Sequence, residues 1–120
     1  EWLISAGALD GVSGVLTGYM PSADHVSATA KLIDALRDIN PDLPVCCDPI
    51  CGDHDRLYLP QEVVTVLHEQ LIPRADMATP NLFELGHLIG TGPLATTQEA
   101  ARAAQALDVA QVVVTSAPGP

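Results

Sequence analysis

Two short strings concentrate the side chains that could do chemistry. Asp48-Pro49-Ile50-Cys51-Gly52-Asp53 carries two carboxylates, and Thr79-Pro80-Asn81-Leu82-Phe83-Glu84 carries a hydroxyl, an amide and a third carboxylate. Thr115 and Ser116 add two more hydroxyls, and Tyr58 lies between the first two strings. Brought to one place, Asp48, Asp53 and Glu84 with these neutral oxygens would suit Mg²⁺. That ion keeps several waters and binds through carboxylates and substrate phosphates. Each string also has a plain structural reading. Asp48-Pro49 can end a strand in a turn. Thr79-Pro80-Asn81-x-x-Glu84 can start a helix, with Thr79 or Asn81 as cap, Pro80 in the first turn and Glu84 reaching back. Thr115-Ser116 can merely end a strand, and Tyr58 can pack between Leu57 and Leu59.

What favours chemistry is where the strings fall. Four short β-branched or apolar runs read as strands: Val12 to Thr17, Val45 to Cys47, Ala75 to Thr79 and Val112 to Thr115. They lack clean polar alternation, which suits strands buried on both faces of a parallel sheet. Ser22 can cap a helix running to about Asn40, with Val26, Thr29, Ile33 and Leu36 on one face. Pro60 suits a first helical position, followed by a stripe of Val63, Val64, Leu67 and Leu71. Thr96-Thr97-Gln98-Glu99 reads as a capping box opening a helix to about Leu107. The expected order is helix, strand, helix, strand, helix, strand, helix, helix, strand. That alternation predicts an α/β fold, a doubly wound, mostly parallel sheet with flanking helices. Ligands of such sheets bind beyond the carboxyl ends of the strands. Gly18 and Tyr19, then Asp48 to Asp53, then Thr79 to Glu84, then Thr115 and Ser116 each follow a strand. Parallel strands would therefore bring all four groups to one rim.

Composition narrows the partners. The 120 residues are 48% hydrophobic, 17% charged and 3% aromatic, as in a globular fold. Fifteen acidic against five basic residues give a net charge of -10, which repels nucleic acid and anionic lipid. A polyphosphate would need a bridging cation. No apolar run reaches the ~20 residues of a membrane-spanning helix, and no basic segment precedes an apolar stretch as in a signal peptide. Cys46, Cys47 and Cys51 are odd in number and bunched, with neighbours on opposite strand faces. They read as buried thiols of a reducing cytoplasm rather than as disulfides or a zinc site. His25, His68 and His87 fall on helices without ligand-spaced partners. Gly7, Gly11 and Gly14 follow no strand, so they make no dinucleotide fingerprint. No P-loop or GxSxG elbow occurs. The chain starts at Glu1 and ends at Pro118-Gly119-Pro120, which suggests a segment of something longer.

The motifs carry a family resemblance. V-L-T-G-Y-M (Val15 to Met20) resembles a strand-turn of the pyridoxal kinases. N-P-D-L-P-V-C-C-D-P-I-C-G-D (Asn40 to Asp53) is similar to the family's N-P-x-x-x-x-x-C-D-P-V-x-G-D. L-Y-L-P-Q-E-V (Leu57 to Val63), A-D-M-A-T-P-N-L-F-E-L (Ala75 to Leu85) and V-V-V-T-S-A (Val112 to Ala117) match further family motifs in order. Only His54, Asp55 and Arg56 separate Asp53 from Leu57, where some relatives have a longer loop.

This resemblance implies a ribokinase-like fold, of which residues 1–120 would be the central part of a single kinase domain. It implies transfer of the ATP γ-phosphate to the 5′-hydroxymethyl group of pyridoxal, pyridoxine or pyridoxamine in vitamin B6 salvage. By motif match, Asp48, Asp53 and Glu84 belong to the Mg²⁺ and phosphate side, partly through water. Thr79, Asn81, Thr115 and Ser116 lie by the nucleotide, and Tyr58 sits on a flap over the phosphates. The catalytic Asp of a G-x-G-D segment is expected downstream of residue 120, so the segment alone is expected to be inactive. The resemblance also implies a homodimer. A hydroxymethylpyrimidine or sugar kinase of the same fold, or a non-catalytic nucleotide-binding module, are the alternatives.

Overall fold

The structure, a computed structural model, describes residue 7 and residues 9–117. The helix expected ahead of the first strand lies largely outside them; residues 9–11 form a turn. Four strands form one parallel sheet in the order β1 (Val15–Thr17), β2 (Val45–Cys47), β5 (Met77–Ala78), β6 (Gln111–Val112). Between β2 and β5 a two-stranded antiparallel hairpin is inserted, made of β3 (Gly52–Asp53) and β4 (Arg56–Leu57). The strands are shorter than their apolar runs. Residues 12–14 stay outside β1, and past β6 the chain tracks its neighbour through Val113 N–H to Ala78 O and Thr115 N–H to Pro80 O, both 2.9 Å.

Helix α1 (Ala23–Ile39) begins at the Ser22 cap, whose hydroxyl accepts from His25 N–H, and buries Val26, Ala30, Ile33 and Leu36. Helix α2 (Gln61–Val66) departs from expectation at both ends. Pro60 is the N-cap rather than the first helical residue, its ψ of 147° being extended. Its carbonyl accepts from Val63 N–H at 2.9 Å. The helix widens into a π-turn over Leu67–Leu71 and then tightens to a 3₁₀ turn over Ile72–Arg74. Pro73 explains the break, since it has no N–H to donate backward and restricts the residue before it. Leu67 and Leu71 stay buried, so the apolar stripe survives the change of helix type. Helix α3 (Leu82–Ile89) ends at Gly90, whose φ of +74° suits glycine. Helix α4 (Thr97–Ala106) starts at the expected capping box of Thr96 and Glu99.

All four helices feed one core. Val26, Ala30 and Ile33 of α1, Val63 and Val64 of α2, Leu85 and Leu88 of α3 and Ala103 of α4 join Val45, Cys47 and Ala78 of the sheet. Strand alternation sends Leu16, Cys46, Met77 and Val113 to the other face, and none of these belongs to that core. Leu16 is 76% and Val113 51% exposed. Burial on both faces, expected from the sequence, is therefore found on one face only among the described residues. At the end where the strands begin, Arg37 donates to Arg74 O, Leu43 O and Asp76, while Asp76 also accepts from Val45 N–H at 2.8 Å. Arg74 grips Asp34 of α1 through two nitrogens at 2.8 Å each and holds that carboxyl below its ordinary pKa. This clasp pins α1 to the feet of β2 and β5.

Candidate functional site

The parallel register sets the opposite rim. Asp48 N–H donates to Thr17 O, and Thr79 N–H donates to Cys47 O, both at 3.0 Å. Asn81 and Thr115 then form a parallel bridge. Asp48 and Thr79 are thus fixed one residue past a strand end, and Asn81 and Thr115 three residues past one. A cavity of about 270 Å³ opens there, lined by Asp48, Asp53, Tyr58, Thr79, Asn81, Glu84 and Thr115, with Ile50 and Gly52. Seven of the eight residues singled out from the sequence meet in it. Ser116 does not; it lines an adjoining cavity of about 240 Å³ with Asp53, His54, Asp55, Asn81 and Phe83, among others. Gly18 and Tyr19 line neither.

The three carboxylates differ in what they can do. Asp48 is half-buried; burial raises its pKa, and the Thr79 hydroxyl beside it opposes the rise. Asp53 leads the hairpin, its Oδ1 accepting from His54 N–H at 2.8 Å and its Oδ2 lying 3.5 Å from His54 Nε2. The hairpin turn bends through His54 and Asp55 at φ of +48° and +60°.

Glu84 is different. Its side chain is 4% exposed, and both oxygens are occupied by backbone. Oε1 accepts from Asn81 N–H at 3.0 Å, and Oε2 from Cys51 N–H at 2.7 Å and Gly52 N–H at 3.5 Å. Burial raises its pKa, the three N–H groups opposing and Asp48 adding to the rise. Among the described residues no group of three His, Cys, Asp or Glu is placed to hold a metal ion. The cap is Asn81, not Thr79, and Pro80 precedes the helix instead of lying in its first turn. Asn81 Oδ1 accepts from Glu84 N–H at 2.7 Å, completing a capping box for α3.

Two of the three thiols, Cys47 and Cys51, are buried, while Cys46 is only partly so. Burial pushes Cys47 up to about 11 and Cys51 up to about 12, far from the thiolate range needed for a nucleophile or a zinc ligand. Two lining residues, Ile50 and Gly52, were not singled out as site residues from the sequence. The Cys51-Gly52 step was legible only as a glycine beside Asp53, whereas its importance comes from backbone contacts to α3.

The chain is similar to known proteins. Residues 6–117 match the model of the phosphomethylpyrimidine kinase family. A pyridoxal kinase of Arabidopsis thaliana is 45% identical over 76 residues, covering 63% of this chain and 25% of its own length. A pyridoxine/pyridoxal/pyridoxamine kinase of Bordetella avium is 37% identical over 118 residues, covering 96% of this chain and 40% of its own length. The structure of the pyridoxal kinase from Leishmania donovani in complex with ADP and pyridoxamine superimposes with a TM-score of 0.89 at 31% identity. It covers 99% of this chain and 42% of its own. The chain therefore spans less than half the length of these relatives.

Proposed function

Since the chain belongs to the phosphomethylpyrimidine kinase family and is pyridoxal-kinase-like within the ribokinase superfamily, we propose that the protein carrying it phosphorylates the hydroxymethyl group of pyridoxal and related vitamers with ATP. The observation that carries the reading is the convergence of Asp48, Asp53, Tyr58, Thr79, Asn81 and Thr115 on one cavity at the carboxyl ends of parallel strands. This is the side of such sheets on which ligands bind.

Phosphoryl transfer needs positioning and charge stabilisation more than covalent chemistry. The hydroxyls of Thr79 and Thr115 and the Asn81 amide are neutral groups that can orient a polyphosphate without repelling it. None of the five Lys and Arg residues lines the cavity, and its carboxylates repel phosphate. A cation is thus required, and the donor set fits Mg²⁺, which accepts one or two carboxylates and completes its shell with water and phosphate oxygens. Asp48 and Asp53 are the residues that would hold it; it would supply charge neutralisation on the phosphates. Glu84, whose oxygens already accept backbone hydrogen bonds, would contribute through water rather than as a direct ligand. Tyr58, half-exposed on the hairpin with Arg56 5.8 Å from its ring centroid, would cover the phosphates.

The proposed setting is a cytoplasmic homodimer. This rests on the resemblance, on the thiols and on charge. Among the described residues no helix is long and apolar enough to cross a membrane. A second reading, phosphorylation of a hydroxymethylpyrimidine, is favoured by the description of the matching family model. Incubation of the protein with Mg-ATP and each acceptor, followed by chromatography of the products, separates the two. The expected result is a vitamer 5′-phosphate formed in preference to a phosphomethylpyrimidine. The reverse preference would install the second reading, and ATP binding without transfer to any acceptor would leave a nucleotide-binding module.

A further inference from the structure

The start of α3 holds the hairpin as well as capping itself. Asn81 Nδ2 donates to Gly52 O at 2.9 Å, while Glu84 Oε2 accepts from Cys51 N–H at 2.7 Å and Gly52 N–H at 3.5 Å. The backbone of the Cys51-Gly52 step is thus gripped from both its donor and its acceptor side. The same two side chains form the reciprocal capping box of α3. Gly52 permits the approach: a Cβ there would run into Arg56 O and the Phe83 ring. The step leads directly into Asp53, and Cys51 O accepts from Tyr58 N–H at 2.7 Å. Both ends of the hairpin are therefore referred to α3, and α3 is referred to the sheet through the Asn81–Thr115 bridge.

We infer that Asn81 and Glu84 are positioning residues, which set Asp53 and Tyr58 against Asp48 by clamping the Cys51-Gly52 backbone. Burial supports the assignment. A carboxylate 4% exposed is costly unless its lone pairs are satisfied, and here the satisfying groups are backbone N–H. The consequence for turnover rests on the kinase reading above; the structural part does not.

Three variants of the protein carrying this chain test it. Glu84→Gln removes the acceptor facing Cys51 N–H. Asn81→Ser keeps a good helix cap but cannot reach Gly52 O. Gly52→Ala leaves both clamping side chains in place and displaces the step itself. Hydrogen exchange read by mass spectrometry should show amides 51–58 exchanging about tenfold faster or more in each variant. In Asn81→Ser the amides of α3 should keep their protection. The Mg²⁺ concentration for half-maximal ADP binding should rise by a similar factor in Glu84→Gln and Gly52→Ala, since both loosen Asp53, while vitamer turnover falls. Unchanged exchange at 51–58 in Glu84→Gln and Asn81→Ser would overturn the inference, whatever the Mg²⁺ requirement. So would faster exchange in Gly52→Ala with turnover intact. A protein without kinase activity on any acceptor would defeat the kinase reading, and the exchange measurement would still decide the clamp.

Discussion

At Asp48 burial and hydrogen bonding pull in opposite directions. Burial disfavours the charged form, and the Thr79 hydroxyl favours it. Thr79 is itself held at the rim by its backbone N–H bond to Cys47 O. Glu84, in the second string, has the same charge and different surroundings, because its oxygens accept from backbone N–H groups. The contrast gives a prediction. Asp48→Asn preserves size and the contact with Thr79 but removes the charge that would hold Mg²⁺. Its kcat should fall on the order of 10–100-fold, the range found when a group supporting a metal centre is altered. The KM for vitamer should change little, as no acceptor contact is assigned to this residue. Steady-state kinetics at saturating Mg²⁺ measures both, and an unaltered kcat would remove Asp48 from the site.

Among the elements, helix α3 carries the most consequence, and its interior holds a glycine that propensity alone would fault. Replacing glycine by alanine within a helix ordinarily gains about 1 kcal/mol. A Cβ on Gly86, however, would collide with Gly92 O and approach Leu94 in the loop that leads to α4. The sign should reverse. Gly86→Ala should destabilise by about 1–3 kcal/mol, the usual cost of forcing extra atoms into a filled space, as read from urea unfolding. A stabilised variant would mean that the α3–α4 loop gives way freely. Such contacts also mark what the sequence could convey. Both capping boxes and the Ser22 cap were legible because their partners lie three residues away. The β3–β4 hairpin was not, since its turn places His54 and Asp55 at positive φ without the glycine or asparagine that usually announces one. The break after Val66 was hidden because Leu67 and Leu71 keep a helical spacing through the π-turn. For Glu84, capping and metal binding were both open on sequence. The structure adds a contact to Cys51, 33 residues earlier in the chain and far beyond any local pattern.

Across the whole molecule, the direction of the strands creates two unlike ends. Where strands begin, Arg37 and Arg74 are spent on backbone carbonyls and on Asp34 and Asp76. Where they finish, oxygen-bearing side chains gather without a neighbouring lysine or arginine in the cavity. The location of the rim could be anticipated, because parallel order alone dictates it. One-sided burial could not, because a run such as Val15-Leu16-Thr17 is too short to distinguish a strand covered once from a strand covered twice. The account stands or falls on which end receives the nucleotide. Photolabelling with an ATP analogue bearing an azidoanilide on the γ-phosphate, in the presence of Mg²⁺, addresses that directly when the modified peptides are mapped by mass spectrometry. Labels should fall on residues 48–58, 79–84 and 115–116, and excess ATP should suppress them. Competed labelling centred instead on Arg37, Asp42 and Arg74 would place the nucleotide at the wrong pole and contradict the account.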